Sequence, residues 1–269
     1  MYIEKKPIKR SKLRLYLGKK YYTYKRYLSW YFESKNYANE ISDKKLEYKI
    51  FEHSTPLIRK LQGVDMNLQY NKIINLQIAS KRLNGVVIKP GETFSYWKLI
   101  GKPTFRKGYK DGLVLLGNGK FEAGVGGGLC QLSNLVYWMT LHTPLIVTER
   151  YRHSHDIFPD VNRTQPFGSG ATCVYNYFDL QIFNSSNDVY QLVVYLANDK
   201  LIGEWRCTKP AIYRYEVYEK NHSITANFWG GYTRNNAIYR KIYNTNGELI
   251  KDEFVTENHA TMMYNPLIP

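Results

Sequence analysis

The 269-residue chain carries 38 Lys and Arg against 23 Asp and Glu, for a formal net charge of +15, and 43% of its residues are hydrophobic. That hydrophobic content is ordinary for a globular protein and argues against wholesale disorder. No stretch approaches the roughly 18 to 20 consecutive apolar residues of a membrane helix. No apolar core follows the basic first residues, so a secretory signal is not expected. The sequence therefore predicts a cytoplasmic protein, at most peripheral to the inner membrane face.

The positive charge is concentrated in the first part of the chain. Residues 1–30 contain ten Lys or Arg and one acid, Glu4, and interleave them with tyrosines. Such a basic arm could make weak contact with an anionic membrane or a polyanionic polymer. A compositional bias toward Lys, Tyr, Asn and Ile along the whole chain is the simpler explanation. No nucleic-acid reader motif accompanies the arm, so nucleic acid is not an expected partner.

The first half of the chain predicts helices and short strands. Residues 1 to about 15 are expected to be a solvated arm, followed by one or two helices over Leu15–Ser34. Asn71–Asn84 has apolar residues near one helical face and ends at Gly85, which indicates a second helix. Short strands are expected at Val86–Lys89 and Asp111–Leu116. Gly117–Gly119 is typical of a tight hairpin turn.

A glycine run and a third helix come next. The run GVGGGLCQ, residues 124–131, leads into Leu132–His142, where apolar residues recur at i, i+3, i+4 and i+7. This periodicity predicts an amphipathic helix of about three turns that opens just after the glycines.

Strands dominate the remainder. They are expected at Leu145–Glu149, across the alternating segment Thr172–Phe183, and at Val189–Leu196 and Leu201–Arg206. Residues 211–269 predict further strands with a hairpin at Asn244–Gly247.

These elements predict an α+β fold in which a central antiparallel sheet supports the helix that follows the glycines. Three regions are expected: a basic arm and helical segment over residues 1–69, an α+β domain over residues 70–208, and a β-rich extension over residues 209–269. The oligomeric state and the role of the extension do not follow from the sequence.

Cys130 is the candidate nucleophile. The three cysteines, Cys130, Cys173 and Cys207, are odd in number and widely spaced, which favours reduced thiols over a disulfide framework. Cys130 follows three glycines at a predicted helix start, where free N–H groups and the helix dipole stabilise a thiolate. Gly126, Gly127, Gly128 and Gln131 are candidate ligand-binding residues, because glycine lets backbone N–H groups approach an anionic group closely. Tight packing is the alternative explanation of the glycines.

The partners of the thiol are less sharply defined. His153 is the candidate base and Asp179 the candidate orienting group, in an order similar to that of papain-like and transglutaminase-like enzymes. His155 or Asp156 could replace either partner, and Cys130 could equally be a packing residue. A zinc site from Cys130, His153, His155 and Asp156 lacks a helical His pair or a CxxC pair. We therefore predict neither a metal nor a cofactor.

Two motifs carry a family resemblance. The motif PGETFS (Pro90–Ser95) and the motif GGGLCQ (Gly126–Gln131) resemble hallmarks of the VanW family, which is named for a protein encoded with B-type vancomycin-resistance genes. The similarity continues through Glu149–Arg150 and His153 to Asp179. Gly170 stands where family members commonly have Asp, which leaves Asp179 as the candidate acid.

The resemblance implies a role in glycopeptide resistance or cell-envelope metabolism. The enzyme hypothesis is a thiol-dependent acyl transferase or amidase acting on peptide-like envelope precursors. The alternative is a non-catalytic accessory or ligand-binding module in which the glycine loop binds an anionic group. The state of the Cys130 thiol distinguishes the two hypotheses.

Overall fold

Among the described residues, helices and short strands alternate up to residue 140, and only strands follow. A computed structural model describes residues 11–58, 65–115, 121–152, 154–156, 165–228 and 230–266. The helices are α1 (Lys12–Phe32), α2 (Met66–Leu83), α3 (Tyr96–Ile100) and α4 (Cys130–Thr140). The strands are β1 (Asn36–Tyr37), β2 (Tyr48–Pro56), β3 (Val86–Ile88), β4 (Glu92–Ser95), β5 (Asp111–Leu115), β6 (Phe121–Val125), β7 (Ile146–Glu149), β8 (His155–Asp156), β9 (Gln181–Phe183), β10 (Tyr190–Ala197), β11 (Lys200–Cys207), β12 (Arg214–Ala226), β13 (Tyr232–Tyr243) and β14 (Leu249–Met262). This mixture confirms the predicted α+β class.

The central sheet has the order β2-β11-β10-β3 and is antiparallel throughout. Helix α4 packs on β2 and β11, and α2 packs on β10. Gly203 of β11 lets α4 approach closely, because a Cβ there would lie 2.6 Å from the Met139 methyl carbon. The buried indole of Trp205 donates to Thr140 Oγ1 at 3.2 Å. The helix that begins at Cys130 is therefore fixed on the sheet along its length.

Three further sheets complete the fold among the described residues. The first has the order β1-β4-β9-β7, in which β1 pairs with β4 in parallel. The second is formed by β5 and β6, which pair antiparallel; the predicted turn Gly117–Gly119 between them lies outside the described residues. The third has the order β12-β13-β14-β8 and contains the predicted hairpin, where Asn244 Oδ1 accepts from the backbone of Asn246 and Glu248.

The predicted helices form, and α2 buries part of the expected face. Leu76, Ala79 and Leu83 are buried as predicted, whereas Ile74 is exposed. The N-terminal half of α2 instead buries the polar residues Gln69, Lys72 and Asn75. None of the helices in the described ranges is long and apolar enough to cross a membrane.

The prediction of one continuous strand over Thr172–Phe183 was wrong. Only β9 is strand; before it, Val174 O accepts from the backbone N–H groups of both Tyr177 and Phe178 and closes a turn. The backbone of Thr172 is bonded to Tyr151 O at 2.8 Å. The alternating residues therefore form a folded, partly buried loop here, which places Asp179 in that loop and outside any strand.

The strand pairing crosses both predicted region boundaries. Strands β1 and β2 come from residues 1–69 but pair with β4 and β11 of the core. Strand β8 pairs in parallel with β14 of the C-terminal extension. The division into three regions stays a prediction. The sheets join these regions through the strand pairs just described. The predicted arm over residues 1 to about 15 lies mostly outside the described residues.

Candidate functional site

Cys130 is the first residue of α4 and follows a tight turn over residues 126–129. The turn needs glycine at Gly126 and Gly128, whose φ angles are +77° and +89°. Cys130 is partly exposed, whereas Cys173 and Cys207 are buried. The predicted placement of Cys130 at a helix start after the glycines is what the structure has.

The glycines are closely packed. A Cβ on Gly127 would lie 2.1 Å from the carbonyl carbon of Gly112 in β5, so two backbones are in direct contact there. A Cβ on Gly128 would lie 2.2 Å from the Cγ of Lys72. This packing is the alternative explanation that the sequence left open. A ligand-binding role for Gly126, Gly127 and Gly128 stays a prediction.

Asn75 of α2 anchors the glycine turn through hydrogen bonds of its side-chain amide. Its Nδ2 donates to Gly127 O at 2.9 Å and to Lys110 O at 3.0 Å, and its Oδ1 accepts from Lys110 N at 2.8 Å. The side chain is fully buried. Apolar periodicity did not single out this residue, although an asparagine in a helix interior is a signal because its intrinsic helix propensity is low.

Helix α4 also holds the loop segment 170–173 against its N-terminal turn. Ser133 Oγ donates to Ala171 O at 2.7 Å, and Asn134 Oδ1 accepts from Ala171 N at 2.8 Å. A Cβ on Gly170 would lie 2.6 Å from that same Asn134 Oδ1. The Asn134 amide thus occupies the space next to Gly170.

The thiol of Cys130 is directed at this loop. Its Sγ–H donates to Cys173 O at 3.6 Å. Burial raises the pKa of the Cys130 thiol above its ordinary value of 9.0, against the opposing effect of backbone hydrogen bonds. The expected depressed pKa is therefore not produced by the described surroundings. A reactive thiolate would need a base to take the proton.

Gln131 links α4 to the central sheet. Its Nε2 donates to Thr55 Oγ1 and to Pro56 O, both at 2.9 Å, at the end of β2. These contacts give Gln131 a structural role. A ligand-binding role for Gln131 stays a prediction.

Asp179 is buried beneath the segment that joins β4 to α3. Its carboxylate accepts from Ser95 Oγ at 2.6 Å, from Trp97 N at 3.0 Å and from Leu180 N at 2.9 Å. Burial raises the pKa of Asp179 to about 6, although the bonds from Ser95 and Trp97 lower it. Asp179 is thus a buried connecting carboxylate whose two oxygens are already engaged.

The candidate histidine lies outside the described residues. Two residues earlier in the chain, the carbonyl oxygen of Tyr151 accepts a hydrogen bond from Thr172 N in the loop. Of the alternatives, Asp156 is buried, forms an ion pair with Arg234 at 3.3 Å and accepts from Tyr264 Oη at 3.0 Å. His155 Nδ1 lies 2.9 Å from Ser154 Oγ. Asp156 therefore connects β8 to the C-terminal sheet through these two contacts.

Two buried polar side chains of the loop have no hydrogen-bond partner among the described residues. They are Thr172, through Oγ1, and Asn176, through both amide atoms. Buried polar groups are normally satisfied, so this amide is a candidate for contact with a group outside the described residues. The sequence reasoning missed Asn176 because it was assigned to the apolar face of a strand. Within the described ranges, no group of three His, Cys, Asp or Glu side chains could hold a metal ion.

The two sequence motifs meet at the turn before Cys130. Tyr96, directly after the PGETFS motif, is buried and donates from its hydroxyl to Leu129 O at 2.9 Å. Its neighbours Ser95 and Trp97 bind Asp179. The site is thus a cysteine at a helix start, framed by a glycine turn, the β4–α3 junction and a buried loop.

This fold and site define an α+β protein built around a cysteine at a helix start. A family model described as VanW like protein matches residues 71–206. The chain is 35% identical over 238 residues to the Vancomycin B-type resistance protein VanW of Enterococcus faecalis, covering 88% of this chain and 86% of that relative. It is 32% identical over 113 residues to the uncharacterized protein YoaR of Bacillus subtilis, covering 42% of this chain and 35% of that relative. No solved structure matches significantly. The chain belongs to the VanW family.

The backbone contact at Gly127 predicts a large effect of one methyl group. Gly127→Ala should destabilise the protein by about 1–3 kcal/mol or more, because the added Cβ overlaps the Gly112 backbone. Gly18→Ala in α1 is the matched control: nothing lies within 4 Å of its Cβ, and alanine is the better helix former. Urea unfolding measures both changes. Equal stability of the two variants would show that the turn has room.

The raised pKa of Asp179 predicts a pH dependence of folding stability. Because the folded pKa of about 6 lies above the ordinary 3.8, the folded protein binds this proton more tightly than the unfolded chain does. That stabilisation is complete below about pH 3.8 and is lost as the pH rises through about 6. The stability advantage of wild type over Asp179→Asn should therefore shrink across this window in urea unfolding. An advantage that grows with pH would contradict the assignment.

Proposed function

We propose that this VanW-family protein acts in glycopeptide resistance or cell-envelope metabolism as a thiol-dependent acyl transferase or amidase. The observation that carries the chemistry is the position of Cys130: it is the first residue of α4 and partly exposed, while the other two cysteines are buried. The link to resistance rests on the name of the Enterococcus faecalis relative, to which this chain is similar along most of its length. Envelope precursors bearing D-amino acids are the proposed substrate class, and a cytoplasmic site of action would restrict them to precursors made inside the cell.

The proposed reaction starts from the thiol. His153 removes the Cys130 proton, and the sulfur attacks the carbonyl carbon of a substrate amide. The backbone N–H of Cys130 stabilises the resulting oxyanion, since those of Gln131 and Leu132 already donate to Gly128 O and Leu129 O. The carbon–nitrogen bond then breaks as His153 returns the proton to the leaving amine, which leaves a thioester on Cys130. An amine acceptor or water resolves the thioester and regenerates the thiol.

The supporting residues have separate roles in this proposal. Asp179 is a positioning residue, because its oxygens already bind the junction of Ser95 and Trp97. The amide of Asn176 has no hydrogen-bond partner among the described residues and lies in the loop that accepts the Cys130 thiol, so we assign it to orienting the histidine. The raised pKa of Cys130 makes the base essential, since a helix start alone contributes less than one unit of pKa.

An accessory or ligand-binding module is the second candidate. It is favoured by the hydrogen bond from the Cys130 thiol to Cys173 O and by the raised pKa of Cys130. Both are typical of an unreactive cysteine. In this alternative the glycine turn cradles a carboxylate or phosphate, and Cys130 contributes only packing.

Alkylation by iodoacetamide, followed at each cysteine by mass spectrometry, separates the two functions. The enzyme proposal predicts that Cys130 reacts fastest of the three cysteines. His153→Ala should raise its pKa, with roughly tenfold less thiolate near neutral pH for each unit. His155→Ala is the matched control and should leave the rate unchanged. Slow, equal alkylation of all three cysteines in the native protein would instead favour the accessory module.

A further inference from the structure

Helix α1 lies on the body of the protein through one face. Arg26 forms an ion pair with Glu149, in which Nη1 donates to Oε2 at 2.6 Å. The hydroxyls of Tyr27 and Tyr175 are hydrogen-bonded at 2.7 Å. Trp30 is partly buried and packs against the core. These contacts fix the rotation of the helix about its axis.

The opposite face of α1 carries an apolar and aromatic stripe. Its members recur at i, i+4, i+8, i+11, i+15 and i+18, which keeps them on one side over five helical turns. They are Leu13, Leu17, Tyr21, Tyr24, Leu28 and Tyr31. Each is between 56% and 80% exposed. A continuous exposed stripe of this kind marks an interaction surface, because isolated exposed apolar residues are normal and contiguous ones are not.

The charge of α1 indicates what the stripe would meet. The helix contains six Lys or Arg and no Asp or Glu. Around the helix, Lys20 borders the stripe on one side, and Arg14 and Lys25 border it on the other. Basic residues flanking an apolar face are typical of helices that lie in the interface of an anionic bilayer. A second copy of the same positively charged face would be repelled.

We propose that α1 is an interfacial helix that lies parallel to an anionic phospholipid surface, with the stripe from Leu13 to Tyr31 inserted among the headgroups. Tyrosine suits this depth because its ring is apolar and its hydroxyl remains hydrated. The docked face keeps the body of the protein on the water side. Helix α1 contacts Glu149 and Tyr175, so lipid binding would hold the loop segment 170–176 near the bilayer. The proposal does not depend on the chemistry of Cys130.

Cosedimentation of the full chain with vesicles tests the proposal. The protein should pellet with vesicles of phosphatidylcholine and phosphatidylglycerol, much less with phosphatidylcholine alone, and less as salt is added. The double variant Leu17→Glu/Leu28→Glu should lose this binding while keeping the wild-type thermal midpoint, because both side chains are exposed. Lys20→Gln/Lys25→Gln should weaken binding by about fivefold for each charge removed.

Ile250→Glu provides the matched control. Ile250 is 57% exposed on β14 and is not part of α1, so this variant should bind vesicles as wild type does. Failure of the wild-type protein to pellet with anionic vesicles would overturn the proposal. Undiminished binding by the Leu17→Glu/Leu28→Glu variant would also overturn it. So would a lipid-free dimer in sedimentation velocity that this variant dissociates, since the stripe would then join two copies of the chain.

Discussion

The side-chain amide of Asn75 joins α2, the residue before β5 and the glycine turn before Cys130 at one buried point. No water can replace its partners without opening the core, and each buried polar group left unsatisfied costs about 1–3 kcal/mol. Because the same turn is in backbone contact with Gly112, the direction in which α4 leaves the turn is fixed. The position of Cys130 thus follows from a polar contact made by a helix distant in sequence.

The β4–α3 junction supports the turn from another side. Tyr96 reaches Leu129 O, while the residues on either side of Tyr96 bind the Asp179 carboxylate. Asp179 therefore connects the PGETFS motif to the loop that accepts the Cys130 thiol. This arrangement brings both motifs into contact in one site. It also gives Asp179 a structural role, whichever function Cys130 has.

Local patterns were enough to predict α4 and the turn before it. Apolar residues at helical spacing define α4, and a run of glycines is required where two backbones touch and φ is positive. The buried face of α2 was only partly predictable, because periodicity counts apolar residues and Asn75 is polar. Strand β2 was missed for a related reason: its register is set by pairing with β11, about 150 residues later in the chain.

The loop before β9 could not be predicted from its alternating residues. Apart from the local turn closed by Val174, its backbone bonds go to tertiary partners: Tyr151, the Glu149 carboxylate and side chains of α4. Burial in this loop does not follow the alternation of the sequence: Cys173 and Asn176 are buried, whereas Val174 is exposed. The exposed stripe of α1 could likewise be recognised only from the structure, which shows which face of the helix packs on the body of the protein.

The unfolding free energy of Asn75→Ala, measured by urea denaturation, tests the central claim most directly. Gln77→Ala is the matched control, because Gln77 is exposed on the same helix. If Asn75 holds the turn, its replacement should cost on the order of 3 kcal/mol or more, since Gly127 O and both backbone groups of Lys110 lose a partner. A loss no larger than that of Gln77→Ala, within about 0.5 kcal/mol, would contradict this account of the site.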